Sequence, residues 1–119
     1  MEVYNRKTFE IYNLNQISQL KKKLPNKNIN LFHPYKYLIF QGPFLAQKIK
    51  LNVKKKNLTY IADPFVNIGL IIILMDLNIQ NLSISIYLDK KIKEKILSLA
   101  KKRKVNIYYT EKFTLSSLT

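Results

Sequence analysis

The chain has 119 residues, with 21 Lys plus Arg against 7 Asp plus Glu, one His and no Cys, for a formal charge of +14. That is room for one domain, expected to span residues 1–119, and the lack of cysteine excludes disulfides, thiolate metal sites and thiol nucleophiles. A field this positive attracts polyanions, nucleic acid before a membrane surface. Part of the excess is a bland consequence of the Lys, Asn and Ile abundance typical of an AT-rich genome, since Arg6 and Arg103 are the only arginines.

The opening Met1–Thr8 has the pattern of neither a signal peptide nor an Arg/Ser-rich presequence. Phe9–Tyr12 reads as a first strand. Asn13 then caps a helix with Gln16 at capping-box spacing, and Leu14, Ile17, Leu20 and Leu24 mark its apolar face before Pro25. The segment Pro25–Tyr35 has no clear period, and Ile29–Phe32 reads as loop. Tyr37–Phe40 is expected to be the second strand, Gly42-Pro43 a turn, and Phe44–Val53 a helix. Leu58–Ala62 follows as the third strand. Asp63 is the expected N-cap of a buried helix, Pro64–Asn78, with proline at its first position. The apolar run Ile68–Met75 inside it is far short of the ~20 residues a membrane span needs. Leu82–Leu88 is the fourth strand, Asp89 caps the helix Lys90–Lys104, and Val105–Tyr109 is the fifth strand before a short polar tail. Strands alternating with helices imply an α/β fold: three layers, a doubly wound, mainly parallel sheet of about five strands, flavodoxin-like.

Catalytic chemistry has little to work with. Asp63 stands at a strand end, where ligand sites of α/β sheets form, but the capping role accounts for it. His33 is expected to be a solvated loop residue, without a triad partner. No ligand cluster suits a metal, and with only Gly42 and Gly69 there is no phosphate-cradling glycine loop. Neither catalytic residues, metal ligands nor a cofactor are therefore expected. The stronger candidates are three cationic clusters: Lys21, Lys22 and Lys23; Lys54, Lys55 and Lys56; and Lys101, Lys102, Arg103 and Lys104. Each ends a helix, where cations favour the dipole. Helices that follow parallel strands end on the same side of the sheet, so the clusters should converge opposite the strand carboxyl ends and form an RNA-binding face. Lys90 and Lys91 begin a helix and should lie towards the other edge. The tyrosines Tyr60, Tyr87 and Tyr108 are expected mostly in the core.

Three collinear blocks resemble one family. They are Tyr4-Asn-Arg-Lys-Thr-Phe-Glu-Ile-Tyr-Asn-Leu14 with Ile17, Leu20 and Leu24; Tyr37-Leu-Ile-Phe-Gln-Gly42; and Asp63-Pro64, Asn67, Leu77-Asn78-Ile79 and Leu82-Ser83-Ile84. Together they resemble the second small-subunit ribosomal protein of bacteria and organelles, the S-two family, in a reduced form. The family's Trp-Leu-Gly-Gly-like segment and helical hairpin, which would fall between Lys54 and Asn57, are missing, and Asp89-Lys90-Lys91 stands where it has Asp-Thr-Asn-x-Asp-Pro. The resemblance implies a structural constituent of the small ribosomal subunit. It would bind small-subunit rRNA and touch neighbouring ribosomal proteins near the head–body junction, with no membrane and no small-molecule substrate as partner. Its place would be a ribosome, mitochondrial and organelle-encoded, or that of an AT-rich bacterium. The C-terminal half also resembles kink-turn-binding proteins and the substrate-binding domain of rRNA methyltransferases. A degenerate nucleotide-binding enzyme around Asp63 and a membrane-surface protein are the other readings.

Overall fold

A computed structural model describes residues 2–116. The elements in chain order are α1 (Glu2–Asn5), β1 (Lys7–Glu10), α2 (Leu14–Lys23), β2 (Ile29–His33), α3 (Tyr35–Gln41), α4 (Pro43–Asn52), β3 (Leu58–Phe65), α5 (Ile68–Asp76), β4 (Asn81–Ile84), α6 (Lys90–Arg103), β5 (Asn106–Tyr109), a 3-10 turn (Thr110–Lys112) and β6 (Leu115–Ser116). The strands form one six-stranded sheet in the order β5-β4-β3-β2-β1-β6, and every pairing is parallel. The fold is three-layer α/β, as the alternation of elements implied. Its winding is very unequal: the chain steps one way through five strands, then returns past β1 to lay β6 on the opposite edge.

Strand alternation separates two interiors. Phe9, Ile29, Leu31, Leu58, Tyr60, Ala62, Leu82 and Ile84 point into the main core, where Ile17, Leu20, Leu38, Ala46, Ile49, Leu70, Ile71, Leu74, Met75, Ile96 and Ala100 of α2 to α6 meet them. The opposite face carries a thin layer. Phe32, Ile61 and Phe113 are buried there beneath Val3, Tyr4 and Tyr108. The Phe113 ring lies 4.8 Å from Tyr4 and 5.3 Å from Phe32, and the Tyr4 hydroxyl accepts the Tyr109 amide at 2.8 Å.

Several boundaries differ from those read in the sequence. Tyr37–Phe40 is not a strand but part of α3, which buries only Leu38. The second strand is Ile29–His33, the segment read as loop, and all five of its residues are buried. β1 begins earlier than Phe9, with Tyr12 beyond it. β4 ends at Ile84, so Tyr87 is 85% exposed and not in the core. β3 continues through Asp63-Pro64 to Phe65, with a shift of register against β4 between Ala62 and Phe65. That irregularity accommodates a proline that donates no ladder hydrogen bond. It leaves Phe65 at φ 55°.

The two glycines hold opposite kinds of position. Gly42 joins α3 to α4 at φ 85°, a conformation that disfavours a side chain although nothing lies within 4 Å of its would-be Cβ. Gly69 is helical, and a Cβ there would make only ordinary contact with the Asn67 Oδ1 at 3.6 Å. We expect Gly42→Ala to destabilise the fold by about 1 kcal/mol and Gly69→Ala to stabilise it by ~0.5–1 kcal/mol. Urea midpoints of the two variants check both signs, and equal shifts would contradict the assigned backbone at one of them.

Candidate nucleic-acid interface

In a parallel sheet each helix returns the chain to the end where strands begin. α2 ends at Lys21–Lys23 before β2, the Lys54–Lys56 linker follows α4 before β3, and α6 ends at Lys101–Arg103, with Lys104 as its C-cap, before β5. The structure therefore brings the three clusters to one end of the molecule, opposite the strand carboxyl ends. Side-chain bonds stitch that end together. The Lys21 Nζ donates to the Asn52 carbonyl at 3.2 Å, and the Asn57 Nδ2 donates to the Lys27 carbonyl at 2.8 Å, so the first two clusters sit on interlocked loops. β5 lies two positions from β3 in the sheet, roughly 10 Å at the usual spacing of strands. Lys50 donates to the Asn78 carbonyl, and Arg103 pairs with Asp76; these two links carry the row across to α6.

Of the cluster residues, Lys22, Lys23, Lys54, Lys55, Lys56, Lys101, Lys102, Arg103 and Lys104 are exposed, and Lys21 is half-buried. A helix C-terminus carries about half a negative charge, so one cation at each of the three ends would satisfy the dipoles. The clusters hold far more than that. Lys104 also occupies the left-handed position, φ 59°, that ends α6, a place where glycine is usual and another residue costs about 1 kcal/mol. The opposite end holds Glu10, at the end of β1, Asp63, among the last residues of β3, and Asp89 and Glu111, in the connections that follow β4 and β5. Lys90 and Lys91 open α6 at that end, as their place at a helix start implied.

The candidate catalytic residues have structural surroundings. Asp63 is not the N-cap of the following helix. Asn67 fills that role, its Oδ1 accepting the Leu70 amide at 3.0 Å, because β3 runs on past Pro64. The Asp63 carboxylate is 3% exposed and its Oδ1 accepts from the Ser83 hydroxyl at 3.0 Å, the Thr110 hydroxyl at 2.8 Å and the Phe65 amide at 3.1 Å. Burial pushes its pKa up to about 6, opposed by these donors and by the Tyr35 amide at the start of α3. The C-terminal 3-10 turn covers Asp63 through Thr110, while Phe44 is exposed. Glu111, an exposed residue, is only slightly desolvated, and the Ser85 hydroxyl at 2.6 Å and the Ile86 amide at 2.7 Å outweigh that and hold its carboxyl below the usual range.

His33 is not solvated. It is fully buried at the end of β2, with Nε2 2.7 Å from the Gln41 Oε1 and Nδ1 2.8 Å from the Tyr60 hydroxyl. Since the Gln41 Nε2 donates to the Tyr12 carbonyl at 2.7 Å, its Oε1 faces the ring as an acceptor. Nε2 therefore carries the proton and Nδ1 accepts from Tyr60. Burial lowers the pKa of this histidine, partly offset by Gln41, so the ring is a neutral bridge between β2, β3 and α3. Among the described residues no group of three or more His, Asp or Glu is placed to hold a metal ion, and no helix is long and apolar enough to cross a membrane.

Comparison with known proteins finds no family model, no curated protein and no solved structure that matches the chain.

The raised Asp63 pKa has a definite sign. A carboxyl whose folded value lies above its unfolded value is favoured protonated by the fold. Its contribution is therefore full below about pH 4 and is lost as pH rises to about 6, a cost of up to about 3 kcal/mol. His33 acts in the opposite direction at acid pH, so the informative quantity is a difference. We expect Asp63→Asn to remove a falling component of stability between pH 4 and pH 7, measured by urea unfolding of both proteins at each pH. Parallel profiles would mean that Asp63 ionises as freely folded as unfolded.

Proposed function

We propose that this chain is a structural constituent of the small ribosomal subunit, holding rRNA with its basic end and neighbouring ribosomal proteins with its apolar helical face. The observation that carries the reading is the gathering of Lys21–Lys23, Lys54–Lys56 and Lys101–Lys104 at one end of the sheet, in excess of what three helix dipoles use. Duplex or folded RNA presents a dense row of phosphates, and a rigid body that spaces several lysines along one edge binds it by charge and shape. The helical face supplies the other half: Phe40 and Phe44 are 90% and 73% exposed, and Ile39, Ile72 and Ile73 are also open. An apolar surface of that kind suits protein and not RNA.

Two blocks of the resemblance to the S-two ribosomal family fall on strand–helix stretches of this chain, β1–α2 and β3–α5–β4. The third is displaced, because Tyr37–Gly42 is helical and the strand in that place of the chain is Ile29–His33. On this reading the protein belongs to a ribosome, mitochondrial and organelle-encoded. The kink-turn-type and methyltransferase-type alternatives predict RNA binding as well and separate from it by co-sedimentation. An enzyme built around Asp63 has against it the closure of that carboxylate by Thr110, Ser83 and the Phe65 amide.

Two measurements test the proposal. The protein should co-sediment with small subunits in a low-salt gradient; sedimentation as a free protein would exclude the ribosomal reading. In vitro, triple Lys→Gln variants at 21–23 or 54–56 should bind RNA more weakly at under ~0.5 kcal/mol cost in stability. The log–log salt slope should drop by about 0.9 for each duplex phosphate no longer neutralised, or about 0.7 on single strands. Lys90→Gln with Lys91→Gln, at the other end, should change affinity and slope much less. Equal effects at both ends would mean that the charge acts as a diffuse field.

A further inference from the structure

The basic end is not a plain surface. Between the beginnings of β3 and β4 a cleft of about 190 Å³ opens, lined among others by Lys50, Val53, Leu58, Ile79, Gln80 and Asn81. It exists because the two strands start out of step. Leu58, Thr59 and Tyr60 pair with β2 on one side, but pairing with β4 begins only at Ala62 with Leu82. The β4-facing edge of residues 58–60 therefore has no ladder partner and borders the cleft.

We propose that this cleft receives one unpaired nucleobase of the bound RNA, so that the basic end recognises RNA with an extruded nucleotide in preference to a continuous duplex. The inference rests on the RNA reading above and names the form of RNA.

The chemistry of the lining selects a base. Val53 is the half-buried apolar group at the side of the cleft, the buried Leu58 and Ile79 lie beneath its floor, and the rest of the open lining is polar. The rim carries amides able to meet a base edge. The Gln80 side chain is exposed, and a free carboxamide presents a donor and an acceptor together, the pattern that matches adenine. The Asn81 Oδ1 accepts from the Asn106 Nδ2 at 3.0 Å, which fixes its orientation and leaves its own Nδ2 as a donor. The backbone edge at residues 58–60 offers further partners. The open cleft has room for one heterocycle. Lys50 lines the cleft and Lys54, Lys55 and Lys56 lie just beyond Val53, placed to meet the phosphates on either side of the inserted nucleotide. A continuous duplex keeps its bases stacked, so it can use these lysines but not the cleft.

The test compares three synthetic RNAs by fluorescence anisotropy: a perfectly paired duplex, the same duplex with one bulged adenosine, and a single strand of the same sequence. The wild type should bind the bulged duplex about tenfold more tightly than the paired one, as one bidentate amide contact to a base edge contributes. Gln80→Ala, at an exposed side chain, and Val53→Phe, which fills the cleft, should each bring the bulged duplex close to the paired level while leaving the paired duplex unchanged. Neutralising Lys54–Lys56 should weaken all three RNAs. Equal wild-type affinity for paired and bulged duplexes overturns the inference and leaves the RNA reading standing. So does a preference that survives in both variants with circular dichroism unchanged. Absence of salt-dependent binding to any of the RNAs overturns both.

Discussion

A parallel ladder has to be re-entered from the same end by every strand, and most of this molecule follows from that requirement. Each return helix runs against the sheet direction, so α2, α4 and α6 all finish where β2, β3 and β5 begin. Their last carbonyls lack intrahelical partners, and cations are the natural complement. The Lys21 and Lys50 side chains meet loop carbonyls on neighbouring connections, while the remaining lysines of the clusters project outward. One topological constraint thus converts lysines scattered over eighty positions of sequence into a single basic end. Glu10, Asp63, Asp89 and Glu111 lie towards the other end, where Asp89 caps α6 through the Lys91 and Ile92 amides at 3.1 and 3.3 Å.

What could be read from the sequence was what local periodicity encodes. The capping box of Asn13 and Gln16 is formed with both of its hydrogen bonds, and Asp89 caps α6 as its place before a lysine-rich amphipathic run implied. The strand of greatest consequence was the least legible. β2 reads Ile29-Asn30-Leu31-Phe32-His33, and Asn30 and His33 look like loop residues until their partners are known. The Asn30 Nδ2 donates to the Val3 carbonyl and the Thr8 hydroxyl, and His33 bridges Tyr60 and Gln41, most of these partners being distant in sequence. Tyr37–Phe40 erred the other way: a short apolar run fits strand or buried helix equally, and only its place beside the sheet decides. The lysine clusters were legible as residues and their convergence as a rule of parallel sheets. The cleft beside them depends on a register offset that no local pattern reports.

The thin second layer explains why polar residues line the inside of a buried sheet. Thr8, Asn30, Asp63, Ser83 and Ser85 are all buried on that face, where an apolar core would require large helices to cover it. α1 and the C-terminal 3-10 turn are too short for that. They are held by specific bonds instead: Thr110 to Asp63, Ser85 to Glu111, Tyr109 to Tyr4. Lys112 adds to this by sitting over the rings of Tyr4 and Tyr109, at 5.7 and 5.3 Å. Asp63 is the common point, joining β3, β4 and the C-terminal turn through one oxygen. A buried carboxylate that resembles a catalytic group is here the fastening of a layer with little hydrophobic area of its own.

The main face has the opposite difficulty. α5 carries no polar side chain from Ile68 to Met75, yet only Leu70, Ile71, Leu74 and Met75 reach the core. Ile68, Ile72 and Ile73 point outward, and Ile39, Phe40 and Phe44 of α3 and α4 are open as well. Two copies of a chain with charge +14 repel each other at moderate salt, which disfavours covering the face with itself. In the ribonucleoprotein we propose, the difficulty would resolve, because phosphates would neutralise the basic end while an uncharged or acidic neighbour covered the helices. On that proposal the two surfaces would depend on each other, since RNA bound at one end would lower the charge that otherwise opposes protein packing along the adjoining face.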